Sequence, residues 1–339
     1  MRRSIFSKED HFVVNKDVQS ILICGDDSLE RKKYSIVIPT YNRVDTLKDT
    51  IQSALNQRGC DDYDIIVCDN NPERNDDTER FIVSLKSPKI FYYKNAQNTG
   101  LFGNLNRCGE LCRGKYYVCI HDDDVLYSDF LTEMEKLLNT IPQADVIYCQ
   151  KHFWNQFEIP QKPDEITVKG KCRLQKLGLI DCVIDEPSPP TGVLMKKESF
   201  INIGGYETDS YPSGDYSFAA KAIKYLEVYK YHKPLYYYRN AVNASLKFST
   251  QRDMMVQGVM MRKELMDEIK LPKRLKKAFW HVYYTKKKIL FASFEEKLGK
   301  EDLALFNLPS NQWTFFIDRL CTRLLEVLLL IRKNLSPKV

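Results

Sequence analysis

The 339-residue sequence has no apolar run long enough to cross a bilayer. A spanning helix needs ~20 consecutive apolar residues, and the longest stretch, around Leu324 to Ile331, is broken by Glu326. The N-terminus, MRRSIFSKEDHF, opens with positive charge but has no apolar core, since Lys8, Glu9 and Asp10 interrupt it, so it does not read as a signal peptide. Among the ten cysteines there is no CxxC pair, and Cys108 and Cys112 lack the second pair or histidine cluster of a zinc site. Cys24, Cys68, Cys119 and Cys149 sit inside β-branched runs, where a free thiol behaves as a small core residue. The expectation is a cytoplasmic chain with reduced thiols. No internal repeat or low-complexity segment is present. The excess of Lys and Arg over Asp and Glu, 51 to 45, is too small over this length to point to nucleic acid. With 43% hydrophobic and 28% charged residues, the composition is that of a soluble globular protein and excludes a disordered or collagen-like chain.

What is present is an alternation of β and helical patterns. Tyr34 to Ile38 reads as a strand ending at Pro39, and Val44, Leu47, Ile51, Ala54 and Leu55 mark one face of a following helix. Strands at Asp64–Cys68, Ile90–Tyr93, Lys115–Ile120 and Asp145–Cys149 alternate with helices at Asp76–Leu85, Leu101–Cys112 and Phe130–Leu138. This predicts right-handed βαβ crossovers, hence an α/β, Rossmann-like, mainly parallel sheet with helices on both faces. After residue 150 the pattern changes: a Pro-rich stretch near Glu186–Pro190, a strand at Thr191–Met195, a helix at Asp215–Tyr225, an aromatic strand at Val228–Tyr238, and helix beyond Ser249.

In such sheets ligands collect beyond the carboxyl ends of the strands. The residues there are Thr40, Tyr41, Asn42 and Arg43, then Asp69, Asn70 and Asn71, then Asp122, Asp123 and Asp124. Three consecutive aspartates at the end of a core strand repel one another unless something positive binds them. A divalent cation, Mn²⁺ or Mg²⁺, with oxygen ligands answers this. The plainer reading is a solvated turn, with an aspartate or Ser128 capping the next helix.

The runs YSIVIPTYNR, DIIVCDNN and NTGLFGNLNRCGELCRGKYYVCIHDDDVLYSDFL, in that order and spacing, resemble the family 2 glycosyltransferases of the GT-A fold over about residues 33 to 245. The resemblance implies an inverting, metal-dependent transfer of a sugar from a nucleotide-diphosphate sugar, UDP-sugars being commonest, to a glycan or lipid-linked acceptor in cell-surface polysaccharide synthesis. It implies that Pro39, Thr40, Tyr41 and Arg43 line the base and ribose pocket, that Asp69 bonds the base edge, and that Asn98, Asn104 and Asn106 flank the nucleotide. His121-Asp122-Asp123-Asp124 falls on the metal and diphosphate motif. Asp122 and Asp124 are expected as its two ends, Asp123 also touches metal, and Asp122 and Asp123 touch the donor. Asp215 falls on the catalytic base, although Gly214 replaces the acid that usually precedes it; its alternative reading is an N-cap. Tyr236, Tyr237 and Tyr238 read as core or acceptor aromatics, and Arg239 and Ser245 as surface or diphosphate residues.

The domain division expected is an N-terminal extension (1–32), a GT-A domain (33–248, its nucleotide-sugar half 33–125 and acceptor half 126–248) and a basic amphipathic helical tail (249–339). The tail has eight cations and no carboxylate from Lys270 to Lys288, and an apolar stripe from Trp313 to Ile331. Such a surface suits peripheral contact with anionic lipid; alternatively it packs on the catalytic domain. Two other function classes compete. A nucleotidyltransferase shares the sheet and the carboxylates but carries a Gly-rich basic loop where this chain has PTYNR. A non-catalytic, membrane-associated assembly partner would have lost carboxylates that are present here.

Overall fold

The computed structural model describes residues 4–155, 172–184, 190–240, 246–294 and 299. Its core is a mixed α/β sheet of ten described strands. They are β1 (Ser20–Cys24), β2 (Tyr34–Thr40), β3 (Tyr63–Asp69), β4 (Ile90–Asn95), β5 (Tyr116–Cys119), β6 (Val125–Leu126), β7 (Val146–Trp154), β8 (Leu174–Lys176), β9 (Val193–Lys196) and β10 (Val228–Arg239). The spatial order is β1-β4-β3-β2-β5-β9-β7-β10-β6, with β8 on β10. The pairs β2–β3, β3–β4, β2–β5 and β7–β10 are parallel, and β9 runs antiparallel to both β5 and β7. The sheet is thus mainly parallel, with one reversed strand inside it.

Every residue of β2 (YSIVIPT) is buried, the near-continuous apolar run required of a strand covered on both faces. Successive side chains alternate between those faces. Ile36 and Ile38 pack with Leu47, Ile51 and Ala54 of α1 (Val44–Leu55), Ile82 of α2 (Asp77–Ser84), and Phe130, Leu131 and Met134 of α4 (Phe130–Thr140). Val37 faces the other layer, with Phe102, Leu105 and Cys108 of α3 (Gly100–Leu111), Phe200 of α6 (Lys197–Asn202) and Phe218 of α7 (Gly214–Tyr225). Helices therefore cover both faces, as the alternation implied.

Three features were not expected from the sequence. Within residues 1–32, β1 pairs antiparallel with β4 and forms the sheet edge, and Tyr225 Oη donates to Phe6 O at 3.1 Å. The chain turns at Gly204, whose φ of +84° suits glycine and whose added Cβ would lie 2.0 Å from Glu9 O, so the N-terminal segment packs directly on it. Strand β7 continues past Cys149 to Trp154, because β10 runs beside it, through two register shifts around Pro234, to Arg239.

Helices α8 (Phe248–Glu268) and α9 (Lys273–Ala292) form the described part of the C-terminal region, which is helical as expected. Phe279, Tyr283 and Tyr284 of α9 are buried against the α3–α7 layer, while Lys270, Lys273, Arg274 and Lys277 are exposed. The stripe Trp313–Ile331 and Ser245 lie outside the described residues. No described helix is long and apolar enough to cross a membrane, and the nine described cysteines are free.

Candidate active site

The strand order reverses direction between β2 and β5: the chain builds outward through β3 and β4, then returns to the other side of β2. Such a switch point splays the connections apart and leaves a crevice at the carboxyl ends. Thr40 and Arg43 lie on its β2 side and Asp122–Asp124 on its β5 side. They meet there. Thr40 Oγ1 donates to Asp122 Oδ2 at 2.8 Å, and Arg43 donates to Asp122 Oδ1 at 3.2 Å and to Asp123 Oδ2 at 2.7 Å. Asp122 and Asp123 are 5% exposed and Asp124 is 0%. The solvated-turn reading of the triplet therefore does not hold.

Asp124 is woven into the fold. Its carboxylate accepts from Thr191 Oγ1 at 2.7 Å and from the Arg239 backbone N–H at 3.0 Å, and its carbonyl accepts from Thr50 Oγ1 at 2.7 Å. The Arg239 side chain is buried and braces the aspartate turn from within. Its Nε donates to Asp123 O at 2.8 Å and its Nη2 to Asp49 Oδ2 at 2.7 Å. Asp122 is pushed up to about 7, first by burial, against the pull of Arg43 and with the push of Asp123. Burial and then Asp123 raise Asp124 well above the carboxylate range. Three carboxylates this close, with Arg43 facing two of them, are short of positive charge.

The ligand atoms that the structure brings together are those of His121, Asp123 and Asp124, all within 4.8 Å of one another. The expected metal set was Asp122, Asp123 and Asp124; the Asp122 carboxylate accepts from Thr40 and Arg43. Nε2 of His121 is buried with no hydrogen-bond partner among the described residues. Burial, the largest effect, holds its imidazole below the usual value, hence in the neutral form that a metal ligand requires. An orphaned imidazole nitrogen beside two carboxylates fits a divalent cation. The sequence placed His121 on the motif without marking it as a ligand.

The other expected residues divide into two groups. Tyr41 is 46% exposed at the rim, and Pro39 is buried at the end of β2. Asn98 Oδ1 accepts from Asn70 Nδ2 at 2.8 Å and shapes the turn into α3. Asp69, 0% exposed, accepts from Tyr92 Oη at 2.7 Å, Lys94 Nζ at 2.8 Å and the Asn71 N–H at 2.9 Å. Asn104 donates to Cys68 O at 3.0 Å, and Asn106 makes a pair of 2.8 Å bonds to the Tyr206 backbone. The polar atoms of Asp69, Asn104 and Asn106 thus bond to protein. Lys94, which the expectation did not name, and Asn70, one of the expected strand-end residues, hold this wall. Lys94, 1% exposed, bridges Asp69 and Asp76, and Asn70 ties Asn95, Asn98, Thr99 and Gly100 together.

Asp215 is the second residue of α7, where an acid is favoured by the helix dipole. It accepts from the Tyr216 N–H at 2.8 Å. The N-cap position is Ser213, so the capping alternative for Asp215 is not realised.

Residues 35–200 match the family described as Glycosyl transferase family 2. An uncharacterized glycosyltransferase of Rickettsia prowazekii is 28% identical over 206 residues, 59% of this chain and 62% of that protein. This chain therefore matches under two thirds of that relative's length. The Escherichia coli UDP-Glc:alpha-D-GlcNAc-diphosphoundecaprenol beta-1,3-glucosyltransferase WfaP is 34% identical over 90 residues, 26% of this chain and 35% of that protein. Among solved structures, Staphylococcus aureus TarS 1–349 in complex with UDP-GlcNAc has a TM-score of 0.56 at 15% identity, covering 73% of this chain and 70% of that one. That likeness is one of fold and agrees with the sheet order and crevice described above. Residues 35–200, set in a GT-A-type α/β fold, thus carry the chain's likeness to glycosyl transferase family 2.

Proposed function

We propose that the chain is an inverting glycosyltransferase. It moves a sugar from a nucleotide-diphosphate sugar, a UDP-sugar foremost, to a hydroxyl of a glycan or lipid-linked acceptor in cell-surface polysaccharide synthesis. The observation that carries this reading is the buried cluster of Thr40, Arg43, His121 and the aspartate triplet at the sheet's switch point, within the family match. The UDP-GlcNAc held by TarS supports the donor class, and the diphosphoundecaprenol acceptor in the name of WfaP supports a lipid-linked acceptor. The residues fit a divalent cation held by His121, Asp123 and Asp124, and one imidazole among carboxylates suits Mn²⁺ better than Mg²⁺. When bound, such a cation offsets the charge that develops on a leaving diphosphate.

The chain's own residues do the rest. Pro39, Thr40, Tyr41 and Arg43 border the base and ribose. Asp69, Asn104 and Asn106 act indirectly, by fixing the strand ends that form the pocket wall. Arg43 and Thr40 hold both oxygens of Asp122, and Arg43 holds Asp123 through Oδ2. The acceptor hydroxyl must lose a proton as it attacks, and the Asp215 carboxylate accepts it. Attack on the anomeric carbon opposite the breaking bond to diphosphate inverts its configuration. Peripheral attachment to a membrane, if made through the tail, rests on Lys270, Lys273, Arg274 and Lys277, since the aromatics of α9 are turned inward.

The test is product analysis with UDP-GlcNAc or UDP-glucose, Mn²⁺ and a lipid-linked N-acetylglucosamine diphosphate. The expected product is a disaccharide with inverted anomeric configuration, lost in Asp215→Asn. Formation of UDP-sugar from UTP and a sugar 1-phosphate, without transfer, would favour the nucleotidyltransferase class.

A further inference from the structure

Strands β7 and β10 stay paired beyond the point where β9 ends beside β7, with β6 alongside β10 at Tyr236 and Tyr237. Lys151, His152, Phe153 and Trp154 stand opposite Tyr236, Tyr237, Tyr238 and Arg239. Alternation puts Lys151, Phe153, Tyr236 and Tyr238 on one face of this paired segment. Tyr236 and Tyr237 are fully buried, as core aromatics should be, yet Phe153 is 54% exposed. It meets Tyr238 edge to face with ring centroids 5.7 Å apart. Lys151 Nζ lies 4.7 Å from the Phe153 centroid and 4.3 Å from that of Tyr238. A cation over two rings is held in place by their electron-rich faces.

This platform adjoins the aspartate turn. Tyr238 precedes Arg239, whose N–H bonds Asp124 Oδ1 at 3.0 Å, and Lys151 is close enough to Asp124 to draw its carboxyl downward. An exposed ring offers a flat apolar surface, which suits the C–H face of a pyranose. The ammonium beside it suits an anionic substituent on the same sugar.

We infer that the face formed by Lys151, Phe153 and Tyr238 is the acceptor subsite and that it takes a hexopyranose bearing a phosphate-type anion. The inference rests on the transferase reading proposed above and deepens it by naming the acceptor's chemistry. The pyranose stacks on Phe153, and its anion pairs with Lys151. The acceptor is thereby brought to the β10 side of the aspartate turn, opposite the base and ribose wall built from β2 and β3.

Binding to the full chain is measured by ligand-observed NMR with two probes, N-acetylglucosamine 1-phosphate and N-acetylglucosamine. The wild type is expected to bind the phosphorylated sugar at least ~10-fold more tightly than the plain one. Phe153→Ala should weaken both about 10-fold, Phe153→Trp should restore binding, and Lys151→Gln should erase the preference for the phosphate. Because Phe153 is exposed, thermal unfolding of its variants should stay near the wild-type value, which keeps lost binding separate from lost fold. Absence of binding by the wild type, or unchanged binding by Phe153→Ala, would overturn the subsite. UDP release from UDP-GlcNAc by the wild type is followed in parallel. If that release is absent while probe binding still depends on Phe153, the transferase reading fails and the saccharide subsite stands.

Discussion

Asp123 and Asp124 are adjacent and differ in what they do for the fold. Asp123 accepts from Arg43 and presents its carboxylate to the His121 nitrogen, whereas Asp124 is bonded to Thr191 and to the Arg239 backbone. Asp123→Asn should therefore abolish cation-dependent turnover with the thermal midpoint nearly unchanged. Asp124→Asn keeps one oxygen and so loses the acceptor of one of these two buried bonds, which leaves a buried donor unsatisfied at a cost of ~1–3 kcal/mol. Its midpoint should fall by several degrees as well, and a thermal melt of the two variants side by side checks the difference. Equal melting of both with wild type would place Asp124 among purely functional residues. Asp215 has a simpler expectation. Asp215→Asn should lower turnover by at least ~10²-fold, the low end for a general base, with donor KM held; a collapse of donor binding instead would make it a donor-site residue.

At the scale of elements, the wall of the crevice depends on a buried ion cluster joining β3 and β4. Lys94 Nζ lies 2.8 Å from Asp69 and 2.9 Å from Asp76. Breaking such a pair from one side leaves uncompensated charge, at a cost of about 3–5 kcal/mol. Lys94→Met should be destabilising on that scale in urea titration, and Lys94→Met combined with Asp69→Asn should recover part of the loss. A second clamp fastens the loop before α7. Lys221, 3% exposed, donates to Gly205 O at 2.8 Å, and burial holds its ammonium down at about 8. Between about pH 8 and the ordinary lysine value the unfolded chain binds more protons than the folded one, so this residue's contribution to stability rises with pH across that window. The stability of wild type relative to Lys221→Met should increase from pH 7.5 to pH 9.5; a flat or falling difference would contradict the burial of that charge. These clamps also show what could be read in advance. The parallel strands and their helices were legible because short apolar runs such as β2 alternate with segments such as α1, whose apolar residues repeat at a period of 3.6. Strand β1 was not, because SILIC is half-buried and gains its place only by pairing with β4, distant in sequence. Lys94 reads as an ordinary strand lysine until Asp69 and Asp76 are brought to it by the fold.

For the whole molecule, the sequence motifs indicated where the site lies and the fold decided which atoms face it. Thr40, Arg43 and the aspartate triplet were legible as strand-end residues. That His121 joins the ligand cluster, that Arg239 braces the aspartate turn, and that Asn104 and Asn106 bond to protein depend on side-chain directions no motif encodes. The same holds for the tail. Eight cations without an acid suggested a lipid-facing amphipathic surface, yet the buried aromatics between them cover the core, so among the described residues of the tail it is the exposed cations that are available for attachment. Exposed Lys and Arg contribute ~1 kcal/mol each near an anionic surface and are screened within about a Debye length. Co-sedimentation with anionic vesicles should accordingly be strong at low salt and lost by a few hundred millimolar, and Gln at Lys273, Arg274 and Lys277 should remove it. Equal binding to neutral vesicles would contradict this. The central claim, that the buried cluster at the switch point handles a nucleotide-diphosphate sugar, is tested most directly by UDP release. Wild type and Asp123→Asn are each incubated with UDP-GlcNAc or UDP-glucose, with Mn²⁺ and with chelator. The account predicts slow release by the wild type with Mn²⁺, at least ~10-fold above both the chelated sample and Asp123→Asn. Equal release in all of them, with neither nucleotide sugar raising the thermal midpoint, would contradict it.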